Sequence, residues 1–479
     1  MSVNQEPIKI VYIGAGSGAW ALRIIRDLTV SKELSNCEII FVDINKERLE
    51  FVAKLAKRYN EVTGGKLKIG TARKLDDALK DASVVVNSVL AGNGHELQEK
   101  VRAVSEKYGY YRGIESKEFN MVSDYSTLYS GFDQYNYIQN LTQKMHDVIP
   151  DAWLINVANP VFELQTMMSR ENKVKSISWC DGTTHYSDIE KFFGFQPNQT
   201  EYQMAGINHN IWLTEFLYNG EDQYPRIEKW ITDKSESYWK NDPFYTTYKE
   251  NIHLSDIRYN MQYSRAAVDM YNTYKLFPVG DTVRSGTWKY HYDLETKKKW
   301  YGPYGGFDSE IGWRSWLMYL DENNKTMQNL VDAGKERLLQ EIPTNRRKAS
   351  MIPIVPFIEA IFFDKKIRSH FNIKNDNNGE KIIPHLPNDI AVEVPVTVDR
   401  KGVHPEQIKN LNDRIIKEIL LPRTANMEIA LDAFYNGSKD ILLDSLYRDP
   451  RTKSNEQAKE VLNKVLSLPE NSGAGNHYK

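Results

Sequence analysis

Short apolar runs alternate with longer amphipathic segments along the first part of the chain. In the amphipathic segments apolar residues recur every three or four positions, which places them on one face of a helix. The apolar runs predict strands at residues 8–13, 38–44, 67–71, 83–90 and 153–158, and helices are predicted at 19–30 and 46–59. This alternation indicates a parallel sheet covered by helices on both faces, the doubly wound α/β class.

The pattern changes after about residue 200. Residues 201–218 and 390–398 are typical of strands in a mixed sheet. Pro395 within the second run predicts an edge strand, because proline has no N–H to give to a neighbouring strand. Residues 406–468 are mostly helical in pattern, with a break at "YRDPRTKS", where proline and polar residues interrupt the helix.

The chain of 479 residues is longer than one simple core usually organises, so we expect two domains. Residues 1–200 would form the nucleotide-binding domain with the parallel sheet. Residues 201–479 would form an α+β domain for substrate, catalysis and subunit contacts, with a helical C-terminal part. No linker rich in proline, glycine or serine separates them, so we expect the second domain to be intertwined with the first.

Charge and composition narrow the class of protein. Lys and Arg (62) nearly balance Asp and Glu (64), which argues against nucleic acid or an anionic membrane as a partner. No apolar run approaches the roughly 18 residues of a membrane span, and no signal peptide is visible. Two cysteines cannot build a disulfide framework, so we expect a cytoplasmic protein. The 28 Tyr and 10 Trp suit a sugar-binding pocket, but large cores use them too.

A glycine loop follows the first predicted strand in "KIVYIGAGSGAW". Gly14 permits a tight turn, Gly16 lets the backbone approach a pyrophosphate, and Ser17 lies in the same loop. Asp43 closes the second strand, where a carboxylate accepts hydrogen bonds from ribose hydroxyls and repels a 2′-phosphate. These four residues are candidates for binding NAD rather than NADP. The alternative is a glycine turn that happens to lie beside a carboxylate.

"NVANPVFELQ" continues past the end of a predicted strand, at the edge of the sheet where doubly wound folds bind ligands. Asn159 offers both a donor and an acceptor there, and Pro160 fixes the backbone beside it. Asn159 is therefore a candidate substrate-binding residue. The alternative is an asparagine that caps the following helix.

"SWCDG" and "AGINHN" place Cys180 and His209 at the ends of two further predicted strands. A thiolate and an imidazole could share one divalent metal and leave coordination positions open for substrate oxygens. We then expect an exposed thiolate, and inactivation by oxidants. The alternative is a buried cysteine and a hydrogen-bonded core histidine, because two ligands so far apart form no recognisable metal motif.

Two further segments are rich in polar and aromatic residues. "EFNMVSDYS" contains Asp124, and "FPVGDTVRSGTWKYH" contains Asp281 and Arg284 between two glycines. Glycines on both sides of an acid indicate a backbone that must approach something closely. Asp124, Asp281 and Arg284 are therefore candidates for residues of a functional site. An exposed salt bridge between Asp281 and Arg284 is the alternative.

Taken together, these residues resemble glycoside hydrolase family 4, the NAD- and metal-dependent glycosidases. The resemblance runs from the glycine loop to "LYRDPRTKSNEQ". "EKYGYYRGIESKEFNMVSDY", "GDTVR" and "DLETKKKWYG" are most similar to the long-chain members that act on non-phosphorylated substrates, chiefly α-glucosidases. The resemblance implies a Rossmann-type sheet similar to that of lactate and malate dehydrogenases, bound NAD and Mn²⁺, and a homodimer or homotetramer.

The resemblance also implies roles for the candidate residues. Cys180 and His209 match the two protein ligands of the Mn²⁺ ion. Asn159 matches an asparagine that binds the sugar. Asp281 matches the catalytic base, and Asp124 matches an acid beside the base and the sugar.

One departure concerns the residue after Cys180. The α-glucosidases have a histidine there, whereas this chain has Asp181, as the phospho-α-glucosidases do, and then Thr183 and Thr184 as a small insertion. The implied chemistry is oxidation of the sugar at carbon 3 by NAD and loss of the carbon 2 proton to Asp281. Elimination of the aglycone with Asp181 as acid, addition of water and return of the hydride follow.

Three kinds of function follow from the sequence. The first is an α-glycosidase, for α-glucosides before α-galactosides or hexuronides. The second is an NAD-dependent dehydrogenase of a small hydroxy acid, although no segment of the "HG-D-T" type supplies the Asp–His relay that such an enzyme needs. The third is a non-catalytic sensor that binds NAD.

Overall fold

The computed structural model of the chain describes residues 7–92, 94–112, 131–285, 287–342 and 352–479. The apolar runs of the first part form six strands whose neighbouring pairs are all parallel. The strands are β1 (Lys9–Ile13), β2 (Glu38–Val42), β3 (Lys68–Ala72), β4 (Val84–Asn87), β5 (Trp153–Asn156) and β6 (Lys175–Ser178). Their order, β3-β2-β1-β4-β5-β6, is that of the Rossmann dinucleotide-binding fold. The predicted parallel sheet is confirmed.

The amphipathic segments of the first part form helices between these strands. They are α1 (Gly18–Val30), α2 (Lys46–Val62), α3 (Leu75–Leu79), α4 (Gly94–Glu106), α5 (Gly131–Val148), α6 (Val161–Glu171) and α7 (Tyr186–Phe193). α2 begins after Asn45, whose side chain accepts a hydrogen bond from the N–H of Arg48 at 3.0 Å. The apolar residues of α2 are spaced by three or four positions, and that face is buried.

A second, mostly antiparallel set of strands continues the same sheet. Its strands are β7 (Thr200–Ile207), β8 (Asn210–Tyr218), β9 (Glu221–Asp222), β10 (Phe277–Val279), β11 (Ile367–Lys374), β12 (Ala391–Asp399) and β13 (Gly402–Pro405). β11 and β12 come late in the sequence but lie between β6 and β7. Asn372 of β11 pairs with Ser178 of β6, so both parts share one sheet. The predicted mixed sheet and its intertwined second part are confirmed.

The edge position predicted for the strand with Pro395 is wrong. β12 lies inside the sheet, and Pro395 pairs with His370 of β11. On the other side of β12, Glu393 pairs with β7 and Val396 pairs with β13. Pro395 therefore lies where β12 exchanges one partner for the next, and its missing N–H is tolerated at that change of partner.

The helices of the second part are α8 (Tyr224–Asn241), α9 (Pro243–Thr246), α10 (Leu254–Met261), α11 (Arg265–Tyr274), α12 (Thr282–Ser285), α13 (Leu294–Tyr301), α14 (Glu310–Val331), α15 (Lys335–Gln340), α16 (Ile354–Phe363), α17 (Asp413–Ile415), α18 (Leu421–Asn436), α19 (Lys439–Tyr447), α20 (Asn455–Leu466) and α21 (Ser472–His477). The predicted helix break is confirmed between α19 and α20. One continuous apolar core runs through both parts, and a smaller one joins α4 to the C-terminal helices. Within the described ranges, every helix is too short or too polar to cross a membrane.

Candidate active site

The glycine loop between β1 and α1 is shaped by close backbone contacts. Gly14 has a φ of +85°, and a β carbon on it would lie 2.9 Å from backbone atoms of Ser88. The N–H of Gly16 donates to Asp43 Oδ2 at 2.7 Å, and a β carbon on Gly16 would lie 2.7 Å from that oxygen. Ser17 is exposed and directly precedes α1. A side chain at either glycine would displace a neighbour. Because both positions are glycine, the bare backbone at the N-terminus of α1 can approach a pyrophosphate closely.

Asp43 lies directly after β2, beside the loop. Its other oxygen, Oδ1, accepts a hydrogen bond from the N–H of Asn45 at 2.8 Å. Each carboxylate oxygen keeps a further lone pair that a ribose hydroxyl can use. The structure thus brings together all four candidate residues for NAD, whose role stays a prediction.

A chain of polar side chains crosses the carboxyl ends of β4, β5 and β6. Asn87 Nδ2 donates to Asn156 Oδ1 at 2.9 Å, and Asn156 Nδ2 donates to Ser178 Oγ at 3.3 Å. Asn87 precedes Ser88, which contacts the glycine loop, and Ser178 lies two residues before Cys180. The glycine loop and the cysteine therefore lie along the same edge of the sheet.

Asn159 follows β5 at this edge. Its peptide bond to Pro160 is cis, and its carbonyl accepts a hydrogen bond from the side chain of Gln134. Asn159 Oδ1 is buried and has no hydrogen-bond partner within the parts of the chain that the structure describes. Buried amide oxygens are usually paired, so this oxygen is available to a hydroxyl of a bound ligand.

The side chains of Cys180 and His209 meet, although they are 29 residues apart in the sequence. Cys180 follows β6, and His209 lies in the tight turn between β7 and β8 with a φ of +58°. Cys180 Sγ and His209 Nε2 are 3.1 Å apart, and the two residues are 7% and 4% exposed. The Ser285 hydroxyl donates to the carbonyl of His209 and holds the turn in place. The fold therefore brings the predicted pair of metal ligands into contact.

Burial sets the protonation of this pair. It lowers the pKa of His209 to about 4, so the imidazole is neutral at neutral pH. It also raises the pKa of the Cys180 thiol well above its ordinary value, and nearby carboxylates add to this effect by their negative charge. The expectation of an exposed thiolate is therefore wrong for the chain by itself, because the thiol is buried and protonated.

These two side chains nevertheless suit a divalent cation. The neutral imidazole is the form that binds metals, and a cation beside Cys180 would favour the thiolate and reverse the effect of burial. Among the described residues, no group of three His, Cys, Asp or Glu side chains is placed to hold a metal ion. Cys180 and His209 would thus supply two ligands and leave the other positions to water or substrate. A thiolate by itself favours Zn²⁺ over Mn²⁺.

Asp281 lies beside the imidazole, directly before α12. Its Oδ2 is 3.4 Å from His209 Nε2, and its Oδ1 accepts a hydrogen bond from Arg284 Nε at 2.8 Å. Arg284 is buried and also donates to Asp308 Oδ1 at 2.8 Å. The Asp281 side chain is 23% exposed, so the ion pair of Asp281 and Arg284 is largely buried rather than a salt bridge on an exposed loop.

The charges around Asp281 keep it ionised. Burial alone would raise the pKa of this carboxyl, but the positive charges of Arg284 and Arg258 hold that pKa well below its usual range. Asp281 is thus a carboxylate that is free of a proton and oriented by Arg284. Its role as a base, and a contact of Arg284 with substrate, stay predictions.

Asp181 follows the thiol and lies in the same cluster. Its Oδ1 is 3.9 Å from Cys180 Sγ. A β carbon on the next residue, Gly182, would lie 3.8 Å from both Cys180 Sγ and Asp281 Oδ2. The candidate acid is therefore close to the candidate ligand, and its catalytic role stays a prediction. Asp124, the remaining candidate, lies outside the described residues.

The sequence reasoning missed Glu393, a buried carboxyl close to this cluster. Glu393 lies on β12, is 1% exposed and accepts a hydrogen bond from the side chain of Asn208 at 3.1 Å, next to His209. Burial raises the pKa of Glu393 to about 7. A signal was present in "AVEVPVTV", where one acid interrupts an otherwise apolar strand.

We refer to Cys180, Asp181, His209 and Asp281 as the buried cluster. The strand order, the glycine loop and this cluster define a Rossmann-fold enzyme with its candidate reacting groups at the carboxyl edge of the sheet. The model of family 4 glycosyl hydrolases matches residues 9–191, and the model of the family's C-terminal domain matches residues 204–452. The chain belongs to the family 4 glycosyl hydrolases. The family predicted from the sequence is confirmed, which favours a hydrolase over a dehydrogenase or a sensor.

Similar proteins match nearly the whole chain. An α-galacturonidase from Lachnoclostridium phytofermentans is 23% identical, with 95% of this chain and 93% of the relative covered. An α-glucosidase from Erwinia rhapontici is 23% identical, with 96% and 97% covered. The solved structure of a 6-phospho-β-glucosidase from Thermotoga maritima, with manganese, NAD⁺ and glucose-6-phosphate, has a TM-score of 0.70 and 17% identity, covering 98% of this chain and 100% of that chain. This structural likeness concerns the fold alone.

Proposed function

We propose that the chain hydrolyses α-glycosides and holds NAD and a divalent cation, Mn²⁺ before others, as resident cofactors. The observation that carries this proposal is the contact of Cys180, His209 and Asp281 at the sheet edge shared with the glycine loop. The presence of manganese and NAD⁺ in the Thermotoga maritima structure supports the same two cofactors here.

The proposed binding roles follow from the groups that the glycine loop and the buried cluster place along this edge of the sheet. Gly14 and Gly16 leave room for the pyrophosphate of NAD, and Asp43 accepts the ribose hydroxyls. Cys180 and His209 hold the cation. When bound, NAD would take a hydride from the sugar and return it, and the cation would polarise sugar oxygens.

The remaining candidate residues handle protons and hydroxyls. Asp281 is the proposed base, because its ion pair with Arg284 keeps the carboxylate free of a proton. A positioned base or acid contributes about 10²–10⁴-fold to such reactions. Asn159 Oδ1 is proposed to accept a sugar hydroxyl, since it is buried without a partner among the described residues. Asp181 keeps its predicted role as the proton donor to the leaving oxygen, and Asp124 keeps its predicted place beside the base and the sugar.

α-Glucosides are the proposed substrates, with α-galactosides and hexuronides as alternatives. The resemblance of "GDTVR" and "DLETKKKWYG" to the α-glucosidases supports glucosides. Identities of 23% to both an α-galacturonidase and an α-glucosidase favour neither sugar.

A panel of nitrophenyl α-glycosides and α-uronides, assayed with and without NAD⁺ and Mn²⁺, tests the function. We expect steady release of nitrophenol from one sugar only when both cofactors are present. No net NADH should form, because the cofactor is regenerated in each turnover. Net NADH formed from a hydroxy acid would support the dehydrogenase instead, and bound NAD without any turnover would support the sensor.

We also propose that residues 1–200 bind NAD, that residues 201–479 supply catalysis and subunit contacts, and that two or four copies assemble in the cytoplasm. Both cysteines are free and buried, which suits a reducing compartment. The near balance of charge supports a small-molecule partner without nucleic acid or membrane. Light scattering of the purified protein measures the number of copies, and a monomer would contradict this assembly.

A further inference from the structure

A second buried carboxylate, Asp308, holds Arg284 through a different nitrogen from the one that binds Asp281. Arg284 Nε donates to Asp281 Oδ1 and Arg284 Nη1 donates to Asp308 Oδ1, both at 2.8 Å. The side chains of Arg284 and Asp308 are 4% and 2% exposed. Arg284 therefore connects the proposed base to a carboxylate that has no role in the proposed function.

The residue before Asp308 restrains the same guanidinium. The central carbon of the Arg284 guanidinium lies over the ring of Phe307, 4.6 Å from the ring centre. A cation over an aromatic face is attracted by the electrons of the ring. One contact with a ring and two hydrogen bonds to carboxylates together fix the position of the planar guanidinium.

The backbone that carries Phe307 and Asp308 is held at the start of α14. Ser309 caps this helix: its hydroxyl accepts a hydrogen bond from the N–H of Gly312 at 3.0 Å and donates to the carbonyl of Tyr304 at 2.6 Å. A β carbon on Gly312 would overlap the carbonyl oxygen of Phe307, so the turn is too tight for a side chain there. Asp308 therefore reaches Arg284 from a fixed point of the backbone.

The charge of Arg284 does not by itself require Asp308. Asp281 already supplies one carboxylate for one guanidinium. A further buried carboxylate is costly, because burial removes the water that stabilises its charge. Asp308 Oδ2 is buried without a hydrogen-bond partner among the described residues, which adds to this cost. A second, costly carboxylate on one arginine indicates a role beyond charge balance.

We propose that Asp308 is a positioning residue for the base: it fixes the guanidinium of Arg284, and Arg284 fixes the carboxylate of Asp281. This inference rests on the proposed function. In that reaction Asp281 takes the proton from carbon 2 and loses its charge, so Asp281 alone no longer holds Arg284. Asp308 keeps the guanidinium in place through that step and acts on the reaction only through Arg284.

Two variants of Asp308 test the proposal on the enzyme with NAD⁺ and Mn²⁺. Asp308→Ala should lower kcat by about 10²-fold with little change in KM, because a misplaced base slows the reaction without weakening the binding of substrate. Asp308→Asn keeps one acceptor for Arg284 Nη1 without the charge and should lower kcat by about tenfold. In a single turnover, bound NADH should still form at the wild-type rate, while exchange of the carbon 2 proton in deuterated water should slow as much as kcat.

The chain supplies a matched control in a second buried ion pair. Asp449, between α19 and α20, binds Arg451 at 2.7 Å, and the side chains of Arg451 and Asp449 are 4% and 0% exposed. Asp449→Ala and Asp449→Asn break an equally buried pair that the proposed reaction does not use. All rates are divided by the concentration of protein that binds NAD⁺ in calorimetry, so lost folding is not counted as lost catalysis. We expect kcat of the Asp449 variants to stay at the wild-type value.

A double-mutant cycle shows whether Asp308 acts through Arg284. Arg284→Lys keeps the positive charge but cannot bind two carboxylates in the fixed geometry of a guanidinium. Asp308→Asn should therefore cost about tenfold in the wild type and nothing further in Arg284→Lys, since residues that act through one another are not additive. A crystal structure of Asp308→Ala without cofactors should show the guanidinium displaced from Asp281.

Losses that multiply in the double variant, or losses in the Asp308 variants no larger than those in the Asp449 variants, would overturn the role of Asp308 and leave the proposed function intact. An unmoved guanidinium in the crystal structure of Asp308→Ala would do the same. A wild-type protein that hydrolyses no glycoside in the presence of NAD⁺ and Mn²⁺ would instead contradict the proposed function, and the positioning role with it.

Discussion

The glycine loop and the buried cluster lie at one edge of the sheet but are built in different ways. In the loop, Gly16 and Asp43 are 27 residues apart, and the contact between them is a backbone N–H bound to a carboxylate. In the cluster, Cys180, His209 and Asp281 come from the end of β6, the β7–β8 turn and the residue before α12, and their side chains contact one another. The loop depends on backbone contacts within the parallel half of the sheet, whereas the cluster depends on segments from both halves of the chain.

From this difference we expect that nucleotide binding and chemistry can be separated in this protein. Substitutions in the loop should weaken NAD binding with little effect on the metal ligands. Substitutions in the cluster should stop turnover with little effect on NAD. Three sets of variants test this separation, and a fourth measures how a carboxyl beside the cluster affects stability.

The largest effect is expected for the two proposed metal ligands. Cys180→Ser and His209→Ala should each lower turnover of the α-glycoside by about 10³-fold or more, or about 4 kcal/mol of activation free energy, because each removes one of two protein ligands. Calorimetry should show NAD⁺ binding almost unchanged. The buried Cys37→Ser, away from the cluster, is the control. Loss of NAD⁺ binding together with turnover would contradict the separation.

The next effect concerns the proposed base. Asp281→Asn should lower turnover by about 10²–10³-fold, because the amide cannot accept a proton. Mn²⁺ binding should persist, while exchange of the carbon 2 proton in deuterated water, followed by NMR, should stop. Asp332→Asn on the surface, where the Asp332 side chain is 88% exposed, is the matched control. Continued exchange in Asp281→Asn would assign the base to another residue.

A smaller effect concerns Glu393 and has a definite pH dependence. The pKa of Glu393 is raised from an ordinary 4.5 to about 7, so the folded state holds this proton more tightly than the unfolded chain does. Stability from this group is complete below pH 4.5 and is lost as the pH rises through 7.

Glu393→Gln removes that titration. Between about pH 5 and about pH 8, the free energy of unfolding of the metal-free wild type should fall by about 2 kcal/mol relative to the variant. Urea unfolding followed by tryptophan fluorescence measures it. Glu201→Gln, at an exposed position of β7, should follow the wild type. If the free energies of unfolding of Glu393→Gln and wild type changed with pH in the same way, the raised pKa of Glu393 would be contradicted.

The smallest effect is expected in the glycine loop. Gly16→Ala places a β carbon 2.7 Å from Asp43 Oδ2, so the loop must shift and NAD⁺ should bind about tenfold more weakly, or about 1.4 kcal/mol. Mn²⁺ binding should not change. Gly334→Ala is the control, because a β carbon there meets nothing within 4 Å. Unchanged NAD⁺ affinity in Gly16→Ala would show that the loop does not hold the nucleotide.

Individual strands, turns and side chains show which features could be predicted from the sequence and which could not. β1, β2 and β4 follow from apolar runs, and the turn at Gly14 follows from the glycine pattern, because these features depend on neighbours in the chain. The edge position inferred from Pro395 failed, because the pairing of β12 depends on strands far away in the sequence. Glu393 was missed although one acid interrupts the apolar run "AVEVPVTV", because only the pairing of β12 with β7 shows that this acid lies near His209.

The sequence by itself determined the parallel half of the sheet, the glycine loop and the family, because periodicity and contiguous motifs are local properties of the chain. The tertiary structure alone decided that Cys180 and His209 are in contact, that Asp281 is paired with the buried Arg284, and that Glu393 lies close to them. The physical reason is strand pairing over long distances in the sequence. β12 lies beside β7 and brings Glu393 to the turn with His209, and β11 pairs with β6 next to Cys180, so distant segments meet in one low-dielectric cluster.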